Sequence, residues 1–141
     1  MLNLMGIAFS MYKKDQKMNF VVEKKDKHAV ITSKVEKLNN IVAPELKGEV
    51  VMLDKNGVVA MIIDLSETRY CDSSGLSALL VANRLTKAAG GTLVITGLQP
   101  SVEKLIQISQ LHTVLNITPT LNQAEDLLVV NQVENDVDKE D

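Results

Sequence analysis

The hydrophobic positions of this chain change their period several times, and each change marks an element. Two short runs rich in β-branched residues, NFVVEK (19–24) and HAVITSKV (28–35), flank Lys25, Asp26 and Lys27, a turn-forming stretch, and together predict a β-hairpin. In APELKGEVVMLDKNG, Leu46, Val50 and Leu53 recur at i, i+4 and i+7, with Pro44 in the first turn and Asn56-Gly57 as a stop. That spacing predicts an amphipathic helix. Val58 to Leu65 is nearly unbroken apolar sequence, the mark of a strand covered by other elements on both faces. A helical pattern follows from Ser73 and closes at Gly90-Gly91, and TLVITG (92–97) is another strand. QPSVEKLIQISQL (99–111) places Pro100 at a helix start, TVLNIT (113–118) predicts a short strand, and TLNQAEDLL (120–128) a last helix.

The resulting order is strand, strand, helix, then strand and helix three times over. Such alternation predicts an α/β fold: a mixed sheet, largely parallel, with an N-terminal antiparallel hairpin and about four helices on its faces. At 141 residues and 15.5 kDa the chain has the size of one domain, expected over residues 18–130. Residues 1–17 form an apolar N-terminal arm with no role legible in its residues. It carries no Lys or Arg ahead of its apolar run and is shorter than the roughly 20 residues that cross a bilayer. The acidic tail, NQVENDVDKED (131–141), has no periodic apolar face and is expected to be disordered.

Charge and composition narrow the function. Fifteen basic residues stand against eighteen acidic ones, with no basic run threaded by aromatics, so nucleic acid is not an expected direct partner and neither is a membrane. Neither G-x-x-x-x-G-K-[ST] nor G-x-G-x-x-G occurs, which leaves no nucleotide cofactor to expect. His28 and His112 lack metal-ligand spacing to any other His or Cys and are read as strand-edge residues. A single cysteine, Cys71, points to a reducing, cytoplasmic setting. It is either a small apolar plug at a strand end or a thiol activated by a helix N-terminus.

The chemistry concentrates where the strand pattern gives way to the helix, in RYCDSSGLSALL (69–80). A hydrolase elbow would need G-x-S-x-G, but no glycine stands two residues before Ser73 or Ser74, and only His112 lies downstream. An enzyme is not expected. Asp and Ser are favoured N-cap residues, which is one reading of Asp72, Ser73 and Ser74. The other is an anion site, since a helix N-terminus offers free N–H groups and partial positive charge to a phosphate carried on a serine. Gly75 would then keep side-chain bulk away from an approaching partner.

These residues resemble the STAS domain of bacterial anti-sigma factor antagonists over about residues 20–128. The resemblance rests on Asp72-Ser73-Ser74-Gly75-Leu76 after the strand end DLS, the Gly90-Gly91 turn, GLQPSV (97–102) and APEL (43–46). It implies a docking protein in place of an enzyme. Unphosphorylated, such a domain binds an anti-sigma factor serine kinase and frees a sigma factor, regulating transcription indirectly; phosphorylation ends the binding and a PP2C-type phosphatase restores it. The implied phosphorylation site is Ser74, with Ser73 as the lesser alternative and as the expected cap. A STAS scaffold in a signalling complex or a lipid-transport system is the second role the resemblance allows. Where the family has a glycine-acid-x-aspartate stretch, this chain has Glu36, Lys37 and Asn39, so Asn39 replaces an aspartate of the expected partner contact.

An ideal helical wheel places Ala78, Ala82, Leu85 and Ala89 on one face, toward the sheet. Leu76 and Leu80 then lie among Asn83, Arg84 and Lys87, either as an exposed apolar pair for a partner or, if the helix is rotated, as core. The expected docking set is therefore Asn39, Asp72, Ser73, Ser74, Gly75, Leu76 and Leu80.

Overall fold

The computed structural model describes residues 18–139; the N-terminal arm 1–17 lies outside them. Strands β1 (Phe20–Lys24) and β2 (Ala29–Ser33) form the expected antiparallel hairpin, with Phe20 opposite Ser33 and Lys24 opposite Ala29. β3 (Lys37–Leu38) leads into α1 (Ala43–Lys55), then β4 (Ala60–Asp64), β5 (Tyr70–Cys71), α2 (Ser73–Ala88), β6 (Thr92–Thr96), α3 (Pro100–Ile108), β7 (Asn116–Thr118) and α4 (Leu121–Lys139). The main sheet has the order β1-β2-β4-β6-β7, parallel except for β1, and β4 is its centre. The α/β reading with a leading hairpin and four helices holds.

Alternation along the buried strands sorts the core into two layers. Ala29, Ile31, Met61, Ile63, Leu93 and Ile95 point to one face and pack against α1, α2 and α3. Val30, Ile62 and Val94 point to the other, where Ala124 and Leu128 of α4 cover them. The apolar run through β4 is thus explained, since both of its faces lie under helices. His28, just ahead of β2, helps hold α4 to the hairpin: its Nε2 sits 3.1 Å from Glu125 Oε2, and Lys25 Nζ lies 3.6 Å from the same oxygen. Thr120 opens α4 by accepting the N–H of Gln123 on its hydroxyl oxygen at 3.2 Å. No helix among the described residues is long and apolar enough to cross a membrane.

Three features depart from the sequence reading. Helix α4, expected over residues 120–128, continues to Lys139; no glycine or proline interrupts residues 121–139. The strands β3 and β5, two residues each, form a second small parallel sheet with Lys37 opposite Tyr70 and Leu38 opposite Cys71. Runs that short carry no readable period.

Helix α2 is also rotated from the ideal wheel. Gly75, Leu76, Ala78, Leu79, Ala82, Asn83 and Thr86 are buried, whereas Ala89 is exposed. β6 lies beneath the helix, α1 alongside it, and the Asn83 side chain reaches the Val114 carbonyl at 3.5 Å on the other flank. Contact on three sides buries a wider arc than one apolar stripe. Leu76 keeps 9% of its surface and belongs to the core, and Leu80 is half-buried against the same cluster. Of the two readings of this pair, the core placement is the one found for Leu76 and, in part, for Leu80.

Leu79, fully buried in α2, is expected to lose about 2–5 kcal/mol of stability on replacement by Ala, because a cavity is left beneath the helix. Leu80→Ala should cost clearly less. Urea denaturation of the two variants measures the difference, and equal losses would contradict the rotation described.

Candidate phosphorylation and docking site

The segment between β4 and α2 is fixed before α2 begins. Thr68, fully buried, shares a 2.7 Å hydrogen bond with the Ser33 hydroxyl and donates to the Val35 carbonyl at 2.8 Å. The N–H of Arg69 then donates to the Glu36 carbonyl and that of Asp72 to the Leu38 carbonyl. These bonds draw β5 along β3 and deliver Asp72 to the first turn of α2.

Asp72 is the N-cap. Its backbone is extended, with φ −104° and ψ −174°, and its Oδ1 accepts the N–H of Gly75 at 3.0 Å. Its other oxygen, Oδ2, accepts the N–H of Asn40 at 3.2 Å. One carboxylate therefore ties the start of α2 to the loop between β3 and α1. Ser73, expected to cap, is instead the first residue of the helix and exposed; the preference for Asp at a cap is satisfied one residue earlier. Ser74 follows at the second helical position and is half-buried. Among the described residues, neither serine hydroxyl has a hydrogen-bond partner, and the N–H groups of Ser73 and Ser74 are likewise unpaired, as the first turn of a helix leaves them.

Gly75 has a reason different from the one its sequence context suggested. A Cβ at this position would collide with the Leu38 carbonyl oxygen, the Cys71 sulfur and Leu38 Cγ. The bulk it avoids is that of its own chain. Leu38 and Cys71 are the paired residues of β3 and β5, so the missing side chain lets the small sheet sit against the helix.

Cys71 is half-buried, and burial followed by the adjacent Asp72 charge pushes its thiol up to about 12 from 9.0. The thiol donates to the Asp72 carbonyl at 3.4 Å. A thiolate at this helix start is therefore disfavoured, and the packing role of Cys71 is the one the structure supports. The helix N-terminus does not activate it, since desolvation and the neighbouring carboxylate both oppose the anion.

Asn39 is half-buried, and its Oδ1 accepts the N–H of Ile41 at 3.0 Å, a local turn that an aspartate could also close. The structure thus brings Asn39, Asp72, Ser73 and Ser74 to one surface and removes Gly75 and Leu76 to the interior. Ile41, two residues after Asn39, and Tyr70, two residues before Asp72, are 79% and 51% exposed. Only their exposure marks them out, and exposure at two isolated apolar residues is not visible in a sequence.

The family model of the STAS domain matches residues 19–124. The chain belongs to the STAS domain family. Solved STAS structures share its fold. An anti-sigma factor antagonist from Mycobacterium paratuberculosis aligns with a TM-score of 0.70 at 22% identity, covering 77% of this chain and 92% of that one. The Bacillus cell fate determinant SpoIIAA in its phosphorylated form aligns with a TM-score of 0.61 at 21% identity, over 76% and 96% of the two chains. The unphosphorylated form of the antagonist SpoIIAA gives 0.60 at 17% identity, over 82% and 97%. At such identities the likeness concerns the STAS fold, and the residues of this chain have to carry its chemistry.

Gly75→Ala is expected to destabilise this STAS domain by about 1–3 kcal/mol through overpacking, measured by thermal or urea unfolding. An unchanged midpoint would show that β3 yields freely. For Cys71 the folded state holds the thiol proton more tightly than the unfolded chain. Its contribution is therefore complete below the unfolded value near 9 and is lost as pH rises from 9 towards 12. The urea midpoint of the wild type should fall over that interval more steeply than that of Cys71→Ala.

Proposed function

We propose that this STAS domain is an anti-sigma factor antagonist, a regulatory binding protein that docks on an anti-sigma serine kinase while Ser74 is unmodified. Phosphorylation of Ser74 by that kinase ends the docking, and a PP2C-type phosphatase resets it. Transcription is thereby controlled indirectly in the cytoplasm, with no catalytic step performed by this chain. The observation that carries the reading is the setting of Ser74: a hydroxyl without a protein partner among the described residues, on the first turn of a helix whose leading N–H groups are free, beside a carboxylate already engaged. SpoIIAA, of the same fold, is known in phosphorylated and unphosphorylated forms, which supports a phosphorylation switch in this class of domain.

The switch works by electrostatics at fixed geometry. A phosphate adds about −1.5 to −2 charge and three acceptor oxygens. In the free protein the N–H groups of Ser73 and Ser74 and the helix dipole offset the charge, by about 0.3–1 kcal/mol for the dipole, while Asp72 opposes it. Under a docked partner the same group would be stripped of water next to the Asp72 carboxylate. An uncompensated buried charge costs roughly 3–5 kcal/mol, which corresponds to a loss of affinity of roughly a hundredfold to several thousandfold. No part of the fold has to rearrange.

Incubation with ATP, magnesium and purified anti-sigma kinases, followed by mass spectrometry, should place one phosphate on Ser74. Ser74→Ala should take up none and still bind the kinase; Ser74→Glu should bind at least tenfold more weakly. Phosphate on Ser73, or full binding by the Glu variant, would contradict the assignment. Copurification with a membrane ATPase, indifferent to Ser74→Ala, would favour a transport subunit.

A further inference from the structure

Strand β1 is an edge of the main sheet, and among the described residues it is bonded to β2 alone. The carbonyl of Asn19 accepts the Lys34 N–H, and the N–H of Lys25 donates to the His28 carbonyl, so the odd-numbered residues from 19 to 25 turn their backbone groups toward β2. By the alternation of an antiparallel ladder, the N–H and C=O groups of Phe20, Val22 and Lys24 face outward. Such a row of donors and acceptors is a template for one more strand.

Beside that row runs a groove of about 610 Å³ between β1 and α1, lined by Val22, Lys24, Glu49, Met52, Leu53 and Asn56. Met52 keeps 58% of its surface in solvent, and Met18, just ahead of β1, keeps 61%. The chain entering β1 is already drawn to this side, since the Asn19 side-chain amide donates to Glu45 Oε2 of α1 at 2.8 Å. The segment that joins the edge here is the N-terminal arm. Its residues 5–11, MGIAFSM, alternate strictly: Met5, Ile7, Phe9 and Met11 are large and apolar, while Gly6, Ala8 and Ser10 are small. A period of two is the pattern of a strand with one face covered and the other open. Residues 13–17, KKDQK, are all polar and give the chain room to reverse between this run and β1. Their three lysines suit α1, whose Glu45 and Glu49 carboxylates stand on the side toward β1.

We propose that residues 5–11 fold back antiparallel along β1 as a sixth strand of the main sheet, with Met5, Ile7, Phe9 and Met11 laid into the groove against Val22 and Met52. Residues opposite each other in an antiparallel pair share a face. This phase therefore sets the large side chains opposite Phe20, Val22 and Lys24, which lie on the α1 side of β1. The occupant is the chain's own arm because its attachment at Met18 holds it beside the edge at high effective concentration, whereas any other strand has to be recruited from solution. The arm closes an edge that would otherwise be open to pairing with other chains. The inference is independent of the function proposed above.

Amide hydrogen exchange of the full chain, read residue by residue by NMR, tests it against a chain lacking residues 2–12. The amides of Val22 and Lys24 should exchange slower in the full chain by roughly tenfold or more, while those of Ile62 and Val94 in the sheet centre stay unchanged. Phe9→Asp in the full chain should remove that protection, and Ala8→Asp, on the open face, should keep it, with no change in sedimentation velocity. Equal exchange of Val22 and Lys24 in the full and shortened chains would overturn the sixth strand, as would equal effects of the two Asp substitutions. Protection that accompanies a dimer dissociated by Phe9→Asp would overturn the intramolecular pairing, because the arm would then lie on a second copy of the chain. Flotation of the full chain alone with phosphatidylcholine vesicles, with β1 unprotected in solution, would overturn it as well and assign the arm to a lipid surface.

Discussion

The first turn of α2 lies so close to β3 that one residue of the helix has to do without a side chain, and the organisation of the surface above it depends on that approach. Gly75 lets the Leu38 carbonyl and the Cys71 sulfur occupy the space where a Cβ would stand. With the helix seated there, the Asp72 carboxylate can span two backbone N–H groups that belong to different parts of the chain, Gly75 in the helix and Asn40 in the loop. The serines that follow are left at the rim, Ser73 exposed and Ser74 half-buried. A Cβ at 75 would have to displace the Leu38 carbonyl or the Cys71 sulfur, on which that arrangement rests.

Beneath this surface the frame is stiff for reasons unrelated to it. Central strands covered on both faces, and a polar knot between Thr68 and Ser33 that leaves no buried polar atom unsatisfied among the described residues, make the β4–α2 connection part of the core. A switch built on such a frame can act through charge alone. Under the proposed function a partner would sense whether a small anion is present at a fixed place, so the cost of modification would fall on the complex and little of it on the fold. Cys71 illustrates the same economy: desolvation and Asp72 hold it as a thiol, so it serves packing without competing for the site's chemistry.

Sequence patterns revealed the framework well and the site unevenly. The hairpin, the β4 run, the Pro-led starts of α1 and α3, and the turn at Gly90-Gly91 follow from local propensities, and all are present. The D-S-S-G junction was legible as a helix start carrying hydroxyls. Its internal assignment was not, because Asp and Ser are comparable caps in isolation and the choice of Asp72 depends on Asn40 standing within reach of its second oxygen. The small β3–β5 sheet, the exposure of Ile41 and the rotation of α2 left no trace in the residue pattern. Each arises where segments about thirty residues apart meet.

The amino-acid sequence by itself determined which segments become strands and helices, their order, and the presence of a modifiable hydroxyl at a helix start. Those properties come from side-chain branching, apolar period and proline or glycine punctuation within a few residues, interactions the chain carries with it before it folds. Only the tertiary structure decided which face of α2 is buried, which residue caps it, what Gly75 makes room for, and which apolar side chains remain outside. Those depend on steric contact and hydrogen bonds between distant segments, which exist only once the sheet has brought them to within a few ångströms.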